Sequence, residues 1–464
     1  MAQGYWNRIV QINVSEQYAP QPDLLQQKAA IVSQDNTSIA PGTAVFIADP
    51  TALAGYLNAA TAIDTMSWLA GVATITFASA HGIAVGDTTP LIVSGCDPSG
   101  YDGYYIATAS TTTALTYAVA TNPGASVTEG SAYFGSAAWL QAADATWWAQ
   151  NAQRTGYFLF ESGESAASAV CMAIDTFIEA NPREIYNWCL LPGIDADKTQ
   201  ALALFNQYNA LTSLVKFYLP VSADTYADWA TENTLRNVFA MIQSPTYSAG
   251  VELDSVAYAA FITNINPTPT NKLPPSSYAY LYGVTKYPVN NTLMNEFSDG
   301  NINFVSVGAE GGISNTILVL GDNLDGTPQN VAYSIDWQQI QLELAIANAV
   351  INGSNSQINP LYYNQAGIDR LQSVASATAA RGIATGLALG QVILVQLDPT
   401  EFATRLSQGV YRGNYVINAV PFSIYTALNP SDYSQGLYGG FQASFVPQYG
   451  FKRIVFNLEA TQFA

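Results

Sequence analysis

Both ends of this chain carry strand-like text. Residues 8–14 read RIVQINV and residues 452–458 read KRIVFNL. Each alternates apolar and polar residues over most of its length, the pattern of a half-buried strand. Val10, Ile12 and Val14 share one face of the first, and Ile454, Phe456 and Leu458 share one face of the second. Chain ends are usually polar and frayed. Ends with β-rich text need a sheet to join, either the chain's own or that of a neighbouring copy.

At 464 residues the chain is long enough for two or more cores. Charged residues make up only 11%, against roughly 25% in an ordinary globular domain. Such a chain either covers itself with neutral polar side chains or buries much of its surface against partners, as a large assembly does. The net charge is −19, with no Lys or Arg between residues 29 and 153. That balance argues against nucleic acid, which demands cations at its phosphates, and against an anionic membrane surface. Cys96, Cys171 and Cys189 are scattered and odd in number, so they read as small buried hydrophobes. The first residues, MAQGYWNR, show no basic-then-apolar signal pattern, and the most apolar stretch, 382–397, is too short and polar to span a bilayer. Synthesis and assembly in a cytoplasm are expected.

Along the chain, Pro20 and Pro22 and a polar stretch to Ser38 read as an arm and linker over residues 1–38, with 15–38 the candidate hinge. A strand is expected at 40–49 and a helix at 51–64. Residues 69–134 change texture to short strands separated by HGIAVGDTTP, DPSGYDG and TNPGAS, an inserted all-β module of about five strands. Strand and helix then alternate, predicting an α/β layer domain over 39–68 and 135–330. Its expected helices include 195–212, with Asp195 as N-cap, and 225–242. The Pro-rich text at 265–275 reads as a loop. In the last part, 331–464, a helix is expected at 336–353, with Ile340, Leu344, Ala347 and Ile351 on its apolar face and Gly353 as its cap. A second follows at 365–385, then strands, so this part reads as an α+β domain with an arm at 448–464.

No catalytic set emerges. The single histidine, His81, lies in turn text and has no partner His. GDNLDG at 321–326 resembles half a calcium loop but lacks its closing Glu, and reads as a turn. Asp195 with Asp197, or Glu161 with Glu164, are the pairs that glycoside hydrolysis would use, though capping or solvated acids explain them more simply. Neither a G-x-S-x-G elbow nor a phosphate loop is present. Gly382, Gly386 and Gly390 suit close packing at a helix end. Trp139, Trp147 and Trp148 suit a sugar platform, an interface or a helix core. The 28 Tyr and 8 Trp with few charges suit buried interfaces.

Residues 300–353 include Asn303 in strand text, Gly311–Gly312 in a hairpin, the Asp325–Gly326 loop, and Asp336–Trp337 opening a helix. This order resembles the contractile tail sheath proteins of myovirus-type bacteriophages. FKRIVFNLEA resembles the family's closing strand, and the HGIAVGD…VSG…YDGYY text resembles a β-module added to several phage tail proteins. The family's second acidic turn is replaced here by TPQNVAYS.

The resemblance implies a non-enzymatic structural subunit of the virion with no cofactor. It implies stacked hexameric rings around a tail tube, and contraction that drives the tube through the host envelope. The partners it implies are other copies, the tube protein, and baseplate and terminator proteins. Neither nucleic acid nor membrane insertion is implied. It places the C-terminal domain against the tube and the β-module outermost. It assigns strand exchange to the arms: Arg8, Ile9, Val10, Ile12 and Val14 at one end, and Lys452, Arg453, Ile454, Val455, Phe456 and Leu458 at the other. The cations Arg8, Lys452 and Arg453 are expected to meet acids of adjacent copies or of the tube. The alternative is a phage-associated polysaccharide hydrolase working through paired carboxylates.

Overall fold

A computed structural model of the chain describes residues 24–150, 155–245, 252–308, 315–452 and 454. The expected α/β layer is present as a six-stranded sheet. Its strands run, edge to edge, Val238–Ile242, Lys216–Val221, Asn187–Cys189, Ala29–Ser33, Tyr157–Glu161 and Thr43–Ile47. All are parallel except the last, which pairs antiparallel with Tyr157–Glu161. Most of these strands are buried along their full length, as a sheet covered on both faces requires. Ile31, Leu159, Tyr218 and Phe239 face the helices Ser136–Ala149 and Asp254–Thr263, whose Leu140, Trp147 and Tyr258 complete one core. Val32, Phe160, Trp188 and Phe217 face Ala167–Ala180 and Lys198–Gln207 across the other.

Four expectations fail in this layer. The text to Ser38 is not all linker: Ala29–Ser33 is a fully buried strand in the middle of the sheet. Four consecutive apolar residues, Ala29 to Val32, lack the alternation that marks a half-exposed strand. Residues 51–64 form a short 3-10 turn at Ala52–Gly55 and a two-residue strand rather than a helix. In 225–242 only Tyr226–Trp229 is helical, and VFAMI is the sheet's edge strand. Asp195 does not cap the helix at Lys198. Its carboxylate accepts from the Gly193 and Ser222 amides at 3.0 and 3.1 Å and from the Thr225 hydroxyl, holding two loops together.

The β-module is a seven-stranded antiparallel sheet, larger than the five strands expected. Its strand order is Thr61–Ala62, Ser131–Phe134, Thr88–Ser94, Gly103–Ala109, Ala114–Ala118, Val72–Thr76 and Thr65–Leu69. It therefore begins at Thr61, ahead of the expected 69. Ile75, Leu91, Tyr101, Leu115 and Tyr117 form its own core.

The long helix spans Gln329–Ser354, starting seven residues earlier than expected because Pro328 precedes it and Gln329 to Ser334 are buried in the larger core. Asp336 lies two turns inside rather than at its start. Gly353 is helical, not a cap. Leu344 (53% exposed) and Ile351 (59%) lie outward, so the expected apolar face is not the packed one. Asp336, Trp337, Gln338 and Gln341 are buried instead. The second helix, Gln365–Ala384, packs beside it. Gly382 lets the two approach, since a Cβ there would strike the Gln338 amide, and Gly386 and Gly390 follow with φ of +78° and +82°. Beyond lies a three-stranded sheet, Val392–Val395, Tyr415–Ala419 and Phe441–Ser444. Tyr415 and Ile417 pack on Ala375 and Ala379, and Val416 packs on Phe402 and Tyr411 across the opposite face.

Candidate functional site

The three-stranded sheet has chemistry at its edges. Tyr415 donates its amide to the Gln391 carbonyl at 3.0 Å, so odd-numbered residues of 391–395 turn their backbone groups toward the centre strand. Val392 and Leu394 therefore turn theirs outward. On the other side Val420 donates to the Gly440 carbonyl at 3.0 Å, which leaves the backbone groups of Phe441 and Ala443 outward. No further strand pairs with either edge among the described residues. Leu394 is 46% exposed. Asn418 ties the flanks together beneath: its side-chain oxygen accepts from the Leu397 amide at 2.8 Å, and its nitrogen donates to Leu397 and Gln442 at 3.1 Å.

From Ser444 the chain turns back to the larger body. Leu389 donates to the Val446 carbonyl at 2.9 Å, Asn330 donates to the Gln448 carbonyl at 3.0 Å, and the Tyr278 hydroxyl donates to the Lys452 carbonyl at 2.6 Å. The Lys452 ammonium pairs with Asp322, whose side chain is almost wholly buried. Burial pushes the Asp322 carboxyl up, and Lys452 pulls it part of the way back. Asn303, fully buried, fixes this loop by accepting from the Gly321 and Asp322 amides and donating to the Ala240 and Asp322 carbonyls, all at 2.7–3.0 Å. GDNLDG is thus a turn, and one of its acids docks the C-terminal tail.

Of the expected arm residues, Lys452 and Ile454 are described. Arg8, Ile9, Val10, Ile12 and Val14, with Arg453, Val455, Phe456 and Leu458, lie outside the described residues, as do Gly311 and Gly312. Ile454 is 74% exposed. Lys452 meets an acid of its own chain, Asp322. Asp322 lies in the GDNLDG run, but Tyr278 and Asn330, which also hold the tail, carry no local pattern, because the three converge from separate segments.

The candidate acid pairs do not converge. Glu161 is buried and accepts five hydrogen bonds, from the amides of Asp35, Thr37 and Gly163 and the hydroxyls of Ser33 and Thr37, while Glu164 is exposed. Asp195 is occupied with its loops, as above. Trp147 and Trp148 are core residues. His81 is buried: its Nδ1 accepts from the Ile83 amide at 3.1 Å and its Nε2 lies 3.0 Å from the Thr111 carbonyl oxygen. Among the described residues no group of His, Cys, Asp and Glu is placed to hold a metal ion, and no helix is long and apolar enough to cross a membrane.

No family model and no curated protein matches the chain. Two solved structures are similar to it. The crystal structure of the sheath tail protein Lin1278 from Listeria innocua is 10% identical, covering 81% of this chain and 86% of its own, with a TM-score of 0.42. The helical sheath of the anti-feeding prophage in its contracted state, a cryo-EM structure, is 11% identical, covering 66% of this chain and 78% of its own, with a TM-score of 0.41.

Proposed function

We propose that this chain is a structural subunit of a bacteriophage contractile tail sheath, assembling as stacked hexameric rings around the tail tube and contracting to drive it through the host envelope. The observation that carries this reading is the small C-terminal sheet with both edges open, in a chain whose two ends carry strand-like text. An open edge is a template for strand addition: main-chain hydrogen bonds supply affinity and alternating side chains fix the register. Strands 8–14 and 454–458 of neighbouring copies would fill those edges. Such a contact joins two different surfaces, so it propagates as a helix.

Contraction is then a rigid-body rearrangement of folded subunits, with the arms keeping the mesh connected. The C-terminal sheet domain faces the tube and the β-module faces outward. The tube, the baseplate and the terminator are the other partners, and the protein resides in the virion. Of the candidate hinge 15–38, Ala29–Ser33 is held in the central sheet and is not a bending part.

Removing residues 1–14 tests this. The truncated protein should stay folded and monomeric, and negative-stain microscopy should show no hollow cylinders where the full chain forms them. Cylinders of normal length from the truncated protein would sink the arm assignment.

A further inference from the structure

A cleft of about 1070 Å³ opens between the inserted β-module and the carboxyl end of the central sheet. The strand order places it. From Ala29–Ser33 the chain leads to Thr43–Ile47 on one side, beyond Tyr157–Glu161, and from the adjacent Asn187–Cys189 it leads to Lys216–Val221 on the other. Diverging connections leave a crevice beyond the strand ends, where open α/β sheets characteristically bind ligands. Asp35 and Gly193 lie at its floor and Asp87 and Tyr133 come from the module.

The floor is held rigidly. Glu161 clamps the Asp35 amide at 2.9 Å, and the Asn58 side chain donates to the Asp35 carbonyl at 3.2 Å. Asp35 is thereby kept at a φ of +59°, a conformation that costs free energy in a residue with a Cβ. Its carboxylate stands exposed, as does that of Asp87, and neither has an ionic partner among the described residues.

Among the described residues no Lys or Arg lines the cleft. Two carboxylates without cations repel phosphates, nucleotides and acidic peptides. What remains is an aromatic wall at Trp139 and Tyr133 beside carboxylate and amide groups. Carboxylates accept paired hydroxyl protons, side-chain amides both give and accept, and an indole packs on the apolar face of a sugar ring. The volume is at the upper end for small-ligand sites and accommodates several rings. We propose that this cleft binds a short neutral oligosaccharide, with Asp35 and Asp87 accepting from its hydroxyls and Trp139 as the packing surface. Binding here is independent of how copies assemble.

Titration calorimetry of the full-length protein with cellotetraose, maltotetraose and chitotetraose, with spermidine as a cationic comparison, tests it. At least one tetrasaccharide should bind saturably, with a Kd below about 1 mM. Asp35→Asn, which suits the left-handed backbone, and Asp87→Asn should each weaken it about tenfold or more while leaving the melting temperature unchanged. The proposal is overturned by an absence of saturable heat with all three sugars, by sugar binding that both variants leave intact, or by binding of spermidine alone. A variant that melts early is replaced by Trp139→Phe, whose tighter or equal sugar binding would also overturn it.

Discussion

The Asp336 carboxylate has no exposure to water, and three groups of the central layer reach it: the Tyr186 hydroxyl at 2.6 Å, the Lys216 ammonium at 3.2 Å and the Arg236 guanidinium at 3.6 Å. Burial pushes the Lys216 ammonium down, and Asp336 pulls it back up. Removing one member of such a set leaves uncompensated buried charge, which costs more than the set itself contributes. Asp336→Asn should therefore lose about 3–5 kcal/mol in urea denaturation. A loss under about 1 kcal/mol would mean that the cations find other partners.

Glu252 gives a pH dependence. Burial pushes its carboxyl up to about 7, against the Thr285 hydrogen bonds that favour the charged form. The folded state then binds a proton more tightly than the unfolded one. Its contribution is full below the unfolded value of about 4.5 and is lost as pH rises through about 7. Glu252→Gln should flatten the fall of the urea midpoint between about pH 5.5 and pH 8. An unchanged slope would place the titration elsewhere. Asp336 and Glu252 illustrate what residue text conceals. Asp336 was visible as half of an Asp-Trp pair, but its three partners, Tyr186, Lys216 and Arg236, come from segments a hundred or more residues away in sequence.

Among the elements, the helix Gln365–Ala384 and the antiparallel module were legible from periodicity, and the fully buried strands Tyr157–Glu161 and Lys216–Val221 from short aromatic-rich apolar text between polar segments. Two other fully buried strands were not. Ala29–Ser33 follows polar linker-like text and Val238–Ile242 follows helix-like text, and short apolar runs look alike whether they end as strand or helix. The outer face of the long helix shows the converse failure, since helical spacing of Leu344 and Ile351 marks a face without saying that anything covers it. Leu344→Ser should change stability by no more than about 0.5 kcal/mol in the isolated protein, the usual outcome at an exposed position. The open edge permits a sharper test. The Leu394 amide points away from the sheet, so Leu394→Pro removes no ladder hydrogen bond. The isolated variant should melt close to the parent, yet cylinders should fail to form, because the added strand loses a donor and meets the ring. Normal cylinders from Leu394→Pro would show that this edge is not the joint.

At the scale of the whole molecule, the module and the body behave as separable parts joined at one place. The module has its own core, and its entry and exit lie together: Asn58 and Ser136 each hydrogen-bond to Asn36, and the Tyr133 hydroxyl donates to the Asn58 carbonyl at 3.0 Å. Replacing 61–134 with a short Gly-Ser link would therefore close the body without stretching it. The expected limit of 69 would instead leave Thr61–Ala62 and Thr65–Leu69 as strands without a sheet. The cost is local, since Trp139 and Ala138 lose the cover of Ile92 and Tyr133. At roughly 25 cal/mol per Å² of apolar surface that is a few kcal/mol at most. The shortened protein should fold and form cylinders of reduced outer diameter under negative stain, while tetrasaccharide binding disappears with one wall of the cleft. Folded protein that no longer forms cylinders would place the module within the mesh that joins the copies, and cylinders of unchanged diameter would place it on the inner surface.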